Sequence, residues 1–340
     1  MTDSTIARAP VTFDGASHSY YLDGEKLAGV STVAKIGDQD AWGIASAWGF
    51  RIGYEGAYEI RNLNQFEHPD ELRAALQKRG LTPWGKRDAA GDRGTWVHDV
   101  LEGLATSGTV DLSGFSEESL GHAKAVCQWY VDYRPEFVAT EVQLVSAVHR
   151  FAGRYDVRCL ISARRLVGLE HPFKDLFEDH ESPQADRVRS LAASCASALT
   201  LDDLKTAKGC YPTSHFPQLS GYELASVEMG FPATDAQFVL NTHPDGTYDF
   251  IPSWSTGQDF LDYLSAHKAI KRIKDADPQV KREQRLEKAV MDQLPRKFAD
   301  LLPLAEDNLA MERGQLLGVL KSLKKRGVIE QDKGVWQVVT

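Results

Sequence analysis

Cysteine is scarce and scattered in this chain of 340 residues. Cys127, Cys159, Cys195 and Cys210 show no C-x-x-C spacing and no histidine at a zinc-finger interval, which excludes a disulfide framework and a finger-type zinc site and leaves buried free thiols. No charged-then-apolar leader opens the sequence and no apolar run approaches the length of a membrane span, so a cytoplasmic location without membrane contact is expected. A net positive charge is missing as well. The formal charge is -9, an average that works against non-specific attraction to nucleic acid. The distribution is uneven, however. From Lys268 to Thr340 sixteen Lys and Arg stand against eleven Asp and Glu, a local +5, and the remainder sums to -14. Carboxylates gathered around divalent cations would account for part of such an excess, and solvated surface for the rest. At this length the chain buries a full core without staples, as one large domain or two smaller ones.

Residues 1 to 10 are polar. Two β-like runs, His18 to Leu22 and Leu27 to Val33, flank Asp23-Gly24, a hairpin signal. Trp42 and Trp48 fall in a helical segment extending to about Asn62 and read as core aromatics. Residues 66 to 90 are charged and helical, broken at Leu81-Thr82-Pro83. A new helix is expected to open after Gly91 and to carry His98 in its first turns. Glu117 to Tyr133 reads as a packing helix. Glu141 to Val148 and Tyr155 to Ile161 read as two strands turning at Ala152-Gly153. In that frame Asp156 lies just past the turn, as a turn cap or a functional carboxylate, and Glu141 reads as a strand-edge surface charge or a further active-site carboxylate. Later come a strand at Ala236 to Asn241, a second at Tyr248 to Pro252 and a long charged helix from Gln258 to Ala276.

The stretch from Ala198 to Ala225 carries the most chemistry. Leu199 and Leu201 alternate as in a strand, and Asp203 and Lys205 continue the same two-residue step, so both side chains leave one face. Alone, such a pair reads as a solvated ion pair. Gln218 and Tyr222 are four apart in a helical segment and share a helical face.

Taken in order, R-G-T-W-V-H (Arg93 to His98), G-R-Y-D (Gly153 to Asp156), D-L-K-T (Asp203 to Thr206) and Q-L-S-G-Y (Gln218 to Tyr222) resemble the PD-(D/E)XK nuclease superfamily, and within it the RecB-type exonucleases of phages and CRISPR-associated systems. The resemblance covers about residues 11 to 275. It implies an α/β fold with a restriction-endonuclease-like core, a mixed sheet flanked by helices. It also implies a metal-dependent deoxyribonuclease, an exonuclease of recombination, repair or phage replication, acting on single-stranded DNA or DNA with free ends. Asp156, Asp203 and Lys205 would be catalytic. His98, Asp156, Asp203 and the Leu204 carbonyl would hold one or two Mg²⁺ or Mn²⁺ ions, which lie about 3.5–4 Å apart when paired. Arg93, with Gly94 and Thr95, would hold the turn before His98, and Arg93 would also face DNA. Gln218 and Tyr222 would hold the DNA backbone or order nearby water, and Thr206 and Lys208 would contact phosphate. Some relatives hold an iron–sulfur cluster on four cysteines, and the cysteine spacing here argues against one.

Two features depart from that pattern. The interval from Asp156 to Asp203 is 47 residues, longer than in the family, which marks 162–197 as an insertion with an acidic, Pro-bounded middle (Phe177 to Pro183) and a helical Ala/Ser-rich end, one that lies over the substrate groove or is mobile. The tail, 278–340, reads helix (Phe298 to Leu304), helix (Glu312 to Arg326) and hairpin (Val328 to Val339). This order resembles a winged helix, whose partner would be duplex DNA or another protein, with Lys324-Lys325-Arg326 tilting the choice toward nucleic acid. Residues 1–277 then form the nuclease domain. A non-catalytic DNA-binding or assembly protein on a nuclease-like scaffold is the alternative from another class.

Overall fold

The computed structural model describes residues 11–15, 19–37, 51, 54, 56, 68–170, 172–179, 181–294, 296–309, 313–325, 328–332 and 335–338. The segment around Trp42 and Trp48 lies outside them. The chain divides into two units, 1–13 with 19–264, and 14–18 with 265–340.

Asp23 and Gly24 take φ of 52° and 77°, the two left-handed positions of a tight hairpin turn. They join β2 (Ser19–Leu22) to β3 (Glu25–Lys26), and β1 (Val11–Asp14) completes a small sheet. The second run expected as strand departs from that reading. Only β4 (Ala28–Gly29) is extended, and Val30–Ala34 is helix α1. Val30, Val33 and Ala34 are all buried, and one helical turn puts positions i, i+3 and i+4 on one face where a strand would split them between two.

Helix α2 spans Pro69–Lys78 and α3 spans Pro83–Ser107. The helix expected to open after Gly91 instead starts at Thr82, whose Oγ1 accepts the Gly85 N–H at 3.1 Å, with Pro83 in the first position. Arg93-Gly94-Thr95 is therefore helix interior and not a turn, and His98 sits about four turns in. Each interior glycine costs about 1 kcal/mol, but Val97, Val100, Leu101 and Leu104 form a buried stripe that carries the helix through. Helix α4 (Glu117–Tyr133) follows the expected bounds, capped by Ser116 Oγ on the Ser119 N–H.

The central sheet is mixed and six-stranded. Its order is β4-β6-β7-β8-β9, with β5 on the other edge of β6; β5 is Glu136–Ser146, β6 Phe151–Ser162, β7 Ser197–Lys205, β8 Ala236–Thr242 and β9 Tyr248–Pro252. β4/β6 and β7/β8 run parallel and the other pairs antiparallel. The hairpin expected to turn at Ala152-Gly153 turns at 147–150, so Gly153 and Asp156 lie within β6. A Cβ at Gly153 would meet Tyr222 Cε1 at 2.6 Å and Val30 Cγ2 at 3.0 Å, so close packing and not a turn requires the glycine.

Helices cover both faces. Against one face α3 and α4 bury Val97, Leu101, Val126 and Trp129 on Val157, Cys159, Ile161, Leu204 and Phe238. On the other, α1, α7 (Pro212–Glu228) and the start of α8 (Gly257–Ala276) bury Val30, Phe216, Leu219, Tyr222 and Phe260 on Phe151, Tyr155, Leu201 and Val239. The stretch 162–197, expected as a lid or a mobile loop, is built into the first of these cores. Its helices α5 (Ala163–Leu166) and α6 (Pro183–Ala193) contribute Leu166, Ala185, Val188 and Ala192, and the connection between them contributes Phe177. Cys159 is buried, Cys127 and Cys210 half-buried and Cys195 exposed, all as free thiols.

The second unit has its own core. α9 (Pro278–Met291), α10 (Phe298–Leu309) and α11 (Arg313–Lys325) pack Val290, Leu301, Leu316, Leu320 and Leu323 with Ile329 and Trp336. The sheet order is β10 (Arg296–Lys297), β12 (Val335–Val338), β11 (Ile329–Asp332). The run before Phe298 also supplies a helix, α9, to this core. Lys324 Nζ lies 5.8 Å from the centre of the Trp336 ring, and Arg326 is outside the described residues. No described helix is long and apolar enough to cross a membrane.

Candidate active site

The site forms where strand β6 is left partly unpaired. β5 follows one edge of β6 from Phe151 to Leu160. On the other edge β4 pairs with Phe151 and Ala152, and β7 with Val157 to Ser162. Residues 153–156 lie between these two pairings. Phe151 and Tyr155 pack into one core, whereas Val157, Cys159 and Ile161 pack into the other, so the strand changes its facing at Asp156. The Leu204 N–H, just past the last β6–β7 pair, donates to Asp156 Oδ2 at 2.6 Å. A side-chain carboxylate stands in for a ladder partner there.

Across the hairpin Glu141 takes φ of 52° between the pairs Thr140↔Val157 and Val142↔Tyr155. A left-handed residue inside a strand is strained and clusters at functional positions. Its Oε1 lies 3.2 Å from His98 Nδ1, and Asp156 Oδ1 lies 3.6 Å from the same nitrogen. One ligand atom from each of His98, Glu141 and Asp156 falls within 4.8 Å of the others, the group among the described residues that is close enough to hold a metal ion. Arg154 Nε contacts Glu141 Oε2 at 2.7 Å. Burial pulls the His98 imidazole down, but Asp156 and Glu141 outweigh it and hold its pKa up at about 9.

Asp203 and Lys205 leave β7 on the α7 side, as their two-residue spacing predicts. Asp203 is buried, pairs with Lys205 Nζ and accepts from Gln218 Nε2 at 3.1 Å. Gln218 also donates to the Tyr222 hydroxyl at 2.9 Å. Burial pushes the Asp203 carboxyl up, Lys205 opposes this, and Asp156 adds to it. Burial alone would lower the Lys205 ammonium, yet Asp203 and Asp156 hold it above the ordinary lysine value, so it is charged at neutral pH. Tyr222 is raised by burial, then by Asp203 and Asp156, and stays a phenol.

Of the expected residues, then, His98 and Asp156 converge directly, while Asp203, Lys205, Gln218 and Tyr222 form an adjoining cluster coupled to Asp156 by charge. Leu204 is buried and engages Asp156 through its amide. Thr206 is half-buried and Lys208 exposed in the loop after β7. Arg93 is half-buried on α3, one turn and a little more before His98. Glu141, favoured in the sequence as a surface charge, is in the cluster. The signal was the hairpin register: a turn at 147–150 sets Glu141 opposite Asp156, whereas a turn at 152–153 moves it away. Reasoning from sequence also passed over His215. It is buried, its Nδ1 accepts the Tyr211 N–H at 3.2 Å, and burial and Lys205 lower its pKa to about 4.

Two carboxylates and one imidazole make an oxygen-rich donor set that fits Mg²⁺, with the nitrogen adding some preference for Mn²⁺. No family model and no curated protein sequence matches the chain.

Proposed function

We propose that the protein is a divalent-metal-dependent DNA nuclease, a phosphodiester hydrolase acting as an exonuclease in recombination, repair or phage replication. The observation that carries this reading is the convergence of His98, Glu141 and Asp156 within 4.8 Å at the gap in β6, beside the buried Asp203–Lys205 pair. His98, Glu141 and Asp156 would hold Mg²⁺ or Mn²⁺, with Asp203 and the Leu204 carbonyl as further oxygen ligands. Such an ion, when bound, supplies an activated water and neutralises the scissile phosphate.

The chain's own residues do the rest. Asp203 anchors the Lys205 ammonium, whose charge faces the negative charge that builds on the phosphate during hydrolysis. With Asp203 and Asp156 raising its pKa, Lys205 acts here as a positive charge beside the phosphate. Gln218 fixes the Asp203 carboxylate on one side and the Tyr222 hydroxyl on the other, leaving the phenol proton to donate to a phosphate oxygen or a water. Thr206 and Lys208 after β7, and Arg93 on α3, are the proposed contacts to the DNA backbone. The 162–197 stretch, the feature that most favours a non-catalytic scaffold, belongs to the core and has no need of a separate role.

End-labelled linear single- and double-stranded DNA with Mg²⁺ or Mn²⁺ tests this, comparing wild type with Lys205→Ala and an EDTA control. Metal-dependent loss of label is expected in wild type and a fall of at least a hundredfold, about 3 kcal/mol, in the variant. Equal inertness of both proteins with both ions and both substrates would sink the catalytic reading.

A further inference from the structure

A chain of net charge -9 that acts on a polyanion needs a local surface where the potential changes sign. The second unit carries a cluster of exposed basic side chains. On α8, Lys268, Lys271 and Arg272 stand at i, i+3 and i+4, one face of the helix, and on α9 Lys281, Arg285 and Lys288 share a face at i, i+4 and i+7. All six side chains are exposed. Lys268, Lys271 and Arg272 line a cleft of about 410 Å³ together with Lys281, Asp275 and Ala276. Lys281 to Lys288 cover about 10 Å along α9 at ~1.5 Å per residue, a reach suited to an extended polyanion more than to a small one. The positive field registers at the neighbouring His267, whose imidazole is lowered by burial and further by Lys271, Lys274 and Lys268.

We propose that the cleft between α8 and α9 is a docking surface for the phosphodiester backbone of DNA. Lys324, which lies over Trp336, does not line it. A basic stripe on α8, joined by Lys281 of α9 around a concavity, fits a ridge of phosphates. An anionic membrane is the less suited partner: Ile270 and Ile273 are exposed on α8, but interfacial helices need a continuous apolar face with large anchors. Lys271 Nζ is held by Asp275 Oδ2 at 2.7 Å, and an exposed pair of this kind exchanges readily for a phosphate contact. The choice of DNA as the polyanion rests on the nuclease reading, whereas the surface itself does not.

The test is fluorescence anisotropy of a short labelled mixed-sequence duplex with the full-length protein in EDTA, across a salt series, with anionic phospholipid vesicles as a parallel arm. Lys268→Glu, Lys271→Glu and Arg272→Glu combined are expected to weaken binding about tenfold or more and to flatten the salt slope by about 0.9 per lost phosphate contact. Asp275→Lys is expected to tighten binding, a gain that misfolding cannot mimic. Three results would overturn the proposal: wild type that fails to bind the duplex or prefers vesicles, a triple variant that matches wild type in affinity and slope, or Asp275→Lys that weakens binding. Binding in EDTA without cleavage in either Mg²⁺ or Mn²⁺ would remove the nuclease reading and keep the cleft. Cleavage with a triple variant that binds like wild type would remove the cleft alone.

Discussion

Glu141 makes three commitments at once: a left-handed backbone, a contact to His98 and an ion pair with Arg154. Strain of about 1–3 kcal/mol at such a residue persists only where the surroundings hold it. If it is a metal ligand, Glu141→Gln should lower Mn²⁺ affinity at least tenfold by titration calorimetry, and an unchanged affinity would exclude it from the set. Asp202, its side chain on the opposite face of β7 from Asp203, is a different kind of carboxylate. It is fully buried, accepts from Cys159 Sγ at 3.2 Å and Thr200 Oγ1 at 3.1 Å, and burial pushes its pKa up to about 7. Its folded pKa lies above the unfolded value, so the native state binds more protons between about pH 4 and pH 7. Stability therefore falls as pH rises through that window. Asp202→Asn removes the ionisation, and urea unfolding in EDTA should show a variant more stable than wild type at pH 8, by a few kcal/mol, with the advantage shrinking toward pH 5. Parallel pH profiles for the two proteins would contradict this.

Two glycines separate the demands of helix and strand. Gly94 lies inside α3 with no heavy atom within 4 Å of where a Cβ would sit, so Gly94→Ala should stabilise the protein by about 0.5–1 kcal/mol. Gly153 lies in β6 with Tyr222 at 2.6 Å from the same construction, and Gly153→Ala should destabilise it by about 1–3 kcal/mol. Chemical denaturation of both variants checks the pair, and the sign matters more than the size. Had Arg93-Gly94-Thr95 formed a glycine-dependent turn, Gly94→Ala would be destabilising too. The start of α3 was legible as Thr82-Pro83, an N-cap followed by a proline at the first position. Gly91 and Gly94 mask the continuity because propensity counts them as breaks, whereas the buried Val97 to Leu104 stripe outweighs them.

For the molecule as a whole, the stretch between β6 and β7 decides how the first unit is read. Phe177 is 1 % exposed and packs 5.8 Å from Phe238 in an edge-on ring pair. Phe177→Ala should cost about 3–5 kcal/mol, the range for a large core aromatic, whereas a residue on a lid would cost well under 1. The surface charge is likewise decided by region: an acidic total hides the basic stripes of α8 and α9.

What the sequence determined by itself is what local periodicity controls. The two-residue step put Asp203 and Lys205 on one face of a strand, the four-residue step put Gln218 and Tyr222 on one face of a helix, and Asp23-Gly24 made its hairpin, because each of these depends only on neighbouring dihedrals. Tertiary structure decided the rest. Whether Glu141 meets His98 depends on where a hairpin turns several residues away, since a shift of the turn moves every cross-strand partner. Whether Val30 to Ala34 is strand or helix, and whether 162–197 is a loop or part of the core, depends on which apolar faces are available to cover them. Those faces come from residues distant in the chain, and no local pattern encodes their arrival.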